Sequence, residues 1–130
     1  MGLDMFLSGR KFYSSTRGQR PQEDGFDVSQ KDLDIGYWRK HPNLHGYIIE
    51  RFANGVDECQ DIELGPEQIK KLIAAVKADN LPHTEGFFFG VSPPAEDQMI
   101  EDLSILQGAL DWLEKPETGV WKSIIYRASW

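Results

Sequence analysis

Several things are scarce in this chain of 130 residues. Cys59 is the sole cysteine, so no intramolecular disulfide can form and the chain suits a reducing compartment. No apolar run approaches the roughly eighteen residues that cross a bilayer, and the start lacks a basic segment followed by an apolar one. Met1-Gly2 is followed at position 6 by Phe, where a myristoylation motif requires Ser or Thr. The expected setting is cytoplasmic, with no membrane partner. A phosphate loop of the Gly-x-x-x-x-Gly-Lys-Ser/Thr type is absent, as are any fixed-period repeat and any low-complexity stretch. Positive charge is short as well: 14 Lys and Arg stand against 21 Asp and Glu, for a net −7. Residues 1–58 hold 8 of the cations and 9 of the acids, whereas residues 59–130 hold 6 and 12. A polyanion is repelled by that second half, so nucleic acid is not an expected partner.

What is present argues for a folded chain. Apolar residues make up 40%, and seven Phe, four Trp and four Tyr supply bulky core material. The length fits a single domain spanning residues 1–130 around one core. Residues 3–13 begin apolar and then alternate loosely, which predicts a strand with a buried start. From Ser14 to Asp34 the composition turns polar, and the expectation is a long loop with at most one short strand. Pro42 at a first turn, with Leu44, Ile48, Ile49 and Phe52 at helical spacing, predicts a first helix over about 42–53, stopped by Asn54-Gly55. Cys59 to Leu64 is a short strand candidate.

A second helix opens at Gly65-Pro66-Glu67, buries Ile69, Leu72, Ile73 and Val76, and ends near Asp79-Asn80. Gly86-Phe87-Phe88-Phe89-Gly90 reads as an aromatic strand between glycines. Ser92-Pro93-Pro94 offers the start of a third helix with an apolar stripe of Ile100, Leu103, Leu106, Leu110 and Leu113, running to about Glu114. Val120 to Arg127 is a last strand. The fold class expected is α+β, a small antiparallel or mixed sheet of about four strands with three helices packed mainly on one face.

Chemically versatile side chains are densest between Gly36 and Glu50. His41 and His45 are four apart, the spacing of two imidazoles on one helix face, but Pro42 intervenes and the zinc-protease glutamate is missing. Asp57, Cys59 or His83 could complete such a set, yet no spacing requires it, so neither a metal nor a cofactor is expected. The plainer reading gives His41 to solvent and His45 to a hydrogen bond within a partly polar core.

Cys59 with His45 is a nucleophile-and-base candidate, set against the reading of Cys59 as a small buried hydrophobe. Tyr37, Trp38, Arg39 and Lys40 could stack on and pair with a phosphate or nucleotide near a helix N-terminus. The alternative is that Trp38 anchors the helix entry while the cations pair with nearby carboxylates. Asp4, Asp32, Asp34, Asp57 and Asp102 act in pairs only if the fold assembles them. Glu96-Asp97 and Glu101-Asp102 read as the acidic first turns and solvated side of the third helix. Aromatics with a charged rim also fit docking onto a host or phage protein.

Several landmarks together resemble a family of small, uncharacterised tailed-phage and prophage proteins. They are Gly2-Leu3-Asp4-Met5, Gly36-Tyr37-Trp38-Arg39-Lys40 with His45, Gly55-Val56-Asp57-Glu58-Cys59, Gly86-Phe87-Phe88-Phe89-Gly90, Glu101-Asp102-Leu103 and Ser129-Trp130. Some members carry a phosphoglycerate kinase label, which a short chain without a phosphate loop does not support. The resemblance brings no established activity. The chain departs from the family at Pro42, where Asn is usual, and at Val91-Ser92-Pro93-Pro94-Ala95, which replaces a stretch with Tyr and Trp.

The function expected is a non-catalytic protein-binding or accessory module of phage or prophage type. The alternative is a small enzyme or phosphate- or nucleotide-binding protein with a site near the start of the first helix. Its ligand-binding residues would be Tyr37, Trp38, Arg39, Lys40 and His45, with His45, Asp57 and Cys59 as catalytic candidates. Convergence of Tyr37, Arg39, His45 and Asp57 on one pocket favours the second reading, and their dispersal the first.

Overall fold

The computed structural model describes residues 2–14, 20–79, 81 and 95–130. Its main sheet is antiparallel and has four strands. The strands are β1 (Asp4–Tyr13), β4 (Gln30–Arg39), β5 (Ile62–Leu64) and β6 (Val120–Ser129), in the order β4-β1-β6-β5. Side chains alternate across it with the two-residue period of a pleated strand. Met5, Leu7, Trp38, Ile62, Leu64, Ile124, Tyr126 and Ala128 are buried on one side. Phe6, Ser8, Arg10 and Phe12 of β1 therefore point to the other side, beside Tyr37 of β4 and Trp121, Ser123, Ile125 and Arg127 of β6.

Between β1 and β4 lies a two-stranded hairpin, β2 (Gln22–Glu23) and β3 (Phe26–Asp27). It turns on Asp24 and Gly25, both at positive φ, the geometry that makes Asp-Gly a preferred two-residue hairpin loop.

Helix α1 (Pro42–Phe52) follows β4 directly. Lys40 makes the corner in the left-handed region at φ 55, and its amide N–H donates to the Leu3 carbonyl at 2.8 Å. Pro42 sits in the first turn, where its missing N–H costs no helical bond. At the far end Gly55, at φ 77, donates its N–H to the Ile49 carbonyl, closing the helix as Asn54-Gly55 predicts. Helix α2 (Pro66–Lys77) buries Ile69, Leu72, Ile73 and Val76, with Glu67 in its first turn. It packs on α3 (Ala95–Glu114), and the two helices contact the sheet at β5 and at β4 and β6 respectively.

All the described helices cover the Met5–Leu7–Tyr126 side of the sheet, and one apolar cluster joins them to it. The architecture is α+β with the helices on one face. Among the described residues, no helix is long and apolar enough to cross a membrane.

Three expectations need correction. Residues 30–39 form a full edge strand rather than the end of a loop and a helix approach. Their signal is broken by a bulge, because Leu7 pairs with Gly36 while Ser8 pairs with Asp34, leaving Ile35 as the extra residue. Two neighbouring positions thus face the helices, and strict alternation is lost. The strand expected from Cys59 is confined to Ile62–Leu64. In α3 the buried stripe omits Ile100, which is 70% exposed, and includes Asp102 at 2%. The aromatic strand expected at Gly86–Gly90, the start of the third helix at Ser92-Pro93-Pro94, and His83 lie outside the described residues.

Candidate functional site

The two described histidines, four apart on α1, serve two separate networks. His41, expected in solvent, is 4% exposed, and its Nε2 lies 2.8 Å from Oδ2 of Asp102. The same carboxylate accepts at Oδ1 from the Trp38 indole N–H at 2.7 Å and from the Gln98 amide at 2.9 Å. Asp102, expected on a solvated helix surface, is thus a buried acceptor for three donors. Unpaired burial of a carboxylate is costly, and three donors offset that cost. The arrangement ties α3 to β4 and to the first turn of α1. His41 and Pro42 are both buried at that turn.

His45 is 1% exposed and is held at both ring nitrogens. Nδ1 lies 2.6 Å from the Tyr126 hydroxyl and Nε2 lies 2.9 Å from Oδ2 of Asp57. The Trp130 indole N–H donates to Oδ1 of Asp57 at 3.1 Å. Donor chemistry orders the chain: indole can only donate, so Asp57 accepts twice, and a neutral His45 gives its Nε2 proton to Asp57 and accepts from Tyr126 at Nδ1. Burial raises the Tyr126 phenol far above its ordinary range, with the Asp57 charge adding to the effect. A phenol held so firmly in its protonated form is a poor nucleophile or base.

Among the described residues no buried side-chain nitrogen or oxygen lacks a partner. Nor do three of His, Cys, Asp or Glu gather there as a metal-ligating group.

The remaining candidates do not join either network. Tyr37 and Arg39 are exposed and lie on the uncovered side of the sheet, whereas Trp38 between them is buried on the helix side. Tyr37 donates its hydroxyl to Asp4, and that bond, first among its causes, raises the phenol pKa. Lys40 is exposed at the corner. Cys59 is half-buried in the loop after α1 at φ 56, and the His45 nitrogens that would activate it already face Tyr126 and Asp57.

Asp4 and Asp32 belong to the uncovered sheet face, and Asp34, opposite Ser8, shares it. Asp57 and Asp102 serve the histidines. Tyr37, Arg39, His45 and Asp57 therefore do not converge on one pocket, because β4 sends Tyr37 and Arg39 to the side of the sheet away from α1.

The uncovered face carries a pattern of its own. Its register sets Tyr37 beside Phe6 and Phe6 beside Arg127. Four residues further along the face from Ser8, Gln30 lies beside Phe12 and Phe12 beside Trp121. The Phe6 and Tyr37 ring centroids are 5.3 Å apart. Phe6, Phe12, Tyr37 and Trp121 are all exposed large hydrophobics, Trp121 at 77%. Charges on the face are paired: Arg10 with Asp32 at 2.9 Å between the two aromatic rows, and Arg127, at the end of the Phe6 row, with Asp61 at 4.0 Å. The hydrogen bond from Arg10 is the main cause of a lowered Asp32 pKa.

A depression of about 380 Å³ opens at the bulge, lined by Phe6, Asp34, Ile35, Gly36 and Tyr37. Sequence reasoning missed Phe6, Phe12, Trp121, Arg10 and Arg127 as surface residues. The signal was present in β1, where Phe6, Ser8, Arg10 and Phe12 alternate with Met5, Leu7, Gly9 and Lys11.

Comparison of the chain with protein-family models, with curated proteins and with solved structures finds no match.

Proposed function

We propose that this chain is a phage- or prophage-type accessory protein of the cytoplasm that acts by non-covalent binding to a protein, with the uncovered face of its sheet as the contact surface. One observation carries the reading: four aromatic side chains, Phe6, Phe12, Tyr37 and Trp121, stand exposed on the one sheet face that no described helix covers. Exposed aromatics grouped with arginines and bordered by charge are the composition of binding hot spots, whereas scattered single apolar residues are ordinary surface. The phage assignment rests on the Gly-Tyr-Trp-Arg-Lys, Gly-Phe-Phe-Phe-Gly and terminal Ser-Trp landmarks. The two described histidines support the same reading, since His45 at both ring nitrogens and His41 at Nε2 tie elements together.

The test is affinity purification of the full chain from phage-infected cells, run beside the Trp121→Ser and Phe6→Ser variants. The expected result is a reproducible bound protein that both variants lose. A bound protein retained by both variants, or none in repeated purifications, overturns the reading.

A further inference from the structure

We propose that the depression between α1 and α2 binds the phosphate monoester of a small organic molecule, with Arg51, Lys71 and the Tyr47 hydroxyl holding the phosphate. The site belongs to the helical layer, and it does not rest on the reading of the uncovered sheet face as a contact surface.

Helical spacing builds it. Tyr47 and Arg51 are four apart on α1 and so share one side of that helix, while Lys71, Ala74, Ala75 and Ala78 recur at helical spacing along α2 and its C-cap. These six residues line a depression of about 510 Å³, a volume in the range that holds small molecules. The alanine side chains end at Cβ, which keeps the space open.

The first pointer to a ligand is Tyr47. It is 9% exposed, and its ring is fixed by the Arg51 guanidinium, 5.3 Å from its centroid, and by the Phe52 ring, T-shaped at 6.0 Å. Among the described residues its hydroxyl has no hydrogen-bond partner, yet no fully buried nitrogen or oxygen there lacks one. The oxygen is therefore the tip of an otherwise buried side chain that opens to the outside, a phenol left to donate where Tyr47 lines the depression.

The second pointer is charge. Arg51 and Lys71 are exposed, and among the described residues neither is in an ion pair. Their lining holds no acid, a local excess of positive charge in a chain of net −7. Lys70, the neighbour of Lys71 outside the depression, pairs with Glu67 at 3.7 Å. A cation suits the last turn of α1, where Arg51 stands, but that role calls for neither Lys71 nor an open phenol.

The donors select the class of anion. A phosphate monoester carries close to two negative charges at neutral pH and three acceptor oxygens. Two cations match the charge, and a guanidinium fork, an ammonium and a phenol match the oxygens. A carboxylate, with one charge and two oxygens, leaves a cation unmatched. The organic body then lies over the methyl groups of Ala74, Ala75 and Ala78. Lys71 stands about two turns before Ala78, so the negative end of α2 meets this body rather than the phosphate.

Phenyl phosphate is the probe, titrated into the full chain and followed by amide NMR chemical shifts. The expected result is saturable shifts at Tyr47, Arg51, Lys71 and Ala74, with a dissociation constant on the order of 1 mM. Inorganic phosphate, which lacks the ring, and benzoate, which lacks the second charge, should each bind about tenfold more weakly. Arg51→Ala and Lys71→Ala should each weaken phenyl phosphate about tenfold, and Tyr47→Phe, which removes only the hydroxyl, about threefold. Ala74→Glu, which puts an acid in the lining, should abolish binding, whereas Lys70→Ala and Trp121→Ser should leave it unchanged.

No saturable shift at these residues up to about 10 mM phenyl phosphate overturns the inference. Binding that survives Arg51→Ala, Lys71→Ala and Ala74→Glu undiminished does so too. Inorganic phosphate or benzoate binding as tightly as phenyl phosphate overturns the class of ligand, and the inference with it.

Discussion

The two sides of the sheet treat the same residue types in opposite ways. On the covered side, Trp38, His41, His45, Asp102 and Tyr126 are aromatic or ionisable groups whose polar atoms are satisfied by one another. On the uncovered side, Phe6, Phe12, Tyr37 and Trp121 keep their rings in water while the neighbouring charges pair among themselves. A histidine four residues from another, or a tryptophan beside two cations, therefore says little about function until its side of the sheet is known. Here the residues that look most chemical hold the fold together, and the plain phenylalanines of β1 are left on the open surface. The difference follows from pleat geometry, since one residue along a strand exchanges core for solvent.

The largest expected effect breaks the covered side. Asp102→Ala strands the N–H donors of Trp38, His41 and Gln98, and should cost about 3–5 kcal/mol, a large part of a stability of about 5–15 kcal/mol. Urea denaturation measures it. Next comes Gly36→Val. A Cβ there collides with the Ile105 side chain of α3, and overpacking of this kind costs about 1–3 kcal/mol, read from the same curves. Gly36 is where α3 crosses the bulged edge strand, so this variant tests whether the two layers are rigidly joined.

Tyr126→Phe removes one hydrogen bond to His45 and should cost about 1 kcal/mol at neutral pH. Its pH dependence sharpens the comparison. The folded phenol titrates far above its ordinary value, so below pH 10 both folded and unfolded chains hold the proton. Above that, the unfolded chain releases a proton that the folded chain keeps. Stability then falls with rising pH by up to about 1.4 kcal/mol per unit from this group, and the alkaline limb of the wild-type melting curve should be steeper than that of Tyr126→Phe.

Trp121→Ser, on the uncovered side, should change folding stability by no more than about 0.5 kcal/mol while losing the bound protein in affinity purification. A large loss of stability there would dissolve the contrast between the two faces. Smallest is the effect of Asp32→Asn. Arg10 lowers the Asp32 pKa in the folded chain. Whatever that pair contributes is therefore present above the ordinary carboxylate value and lost as pH falls through the folded one. The wild type should be slightly more acid-sensitive than the variant.

The α+β class and the covered layers were legible because their signals are local. Helical spacing in Ile69, Leu72, Ile73 and Val76, Pro42 at a first turn, and Asn54-Gly55 at an end each act within a few residues. The burial of His45 in a hydrogen-bonded setting was foreseen as the plainer of two readings. Edge strand β4 was not foreseen, since its uncovered side is polar at Gln30, Asp32 and Asp34 and its bulge breaks the alternation. The hairpin at Asp24-Gly25 went unnoticed despite the dipeptide that marks it. The His41–Asp102 pair could not be read at all. It joins residues 61 apart, and an acid in a helical stripe looks like surface until its three donors arrive from elsewhere.

The position of β1 between β4 and β6 bears on how the chain is made. The pairing with β4 closes a hairpin-like unit early in synthesis, but the other edge of β1 waits for β6, whose Ser129 pairs with Asp4. Until those residues leave the ribosome, the apolar row of Met5 and Leu7 has half its lateral hydrogen bonds unmade. An unmatched strand edge of this kind is a template for pairing with other chains. The central strand is therefore made well before the strand that completes it, and its open edge is a hazard for aggregation while the residues between them are added.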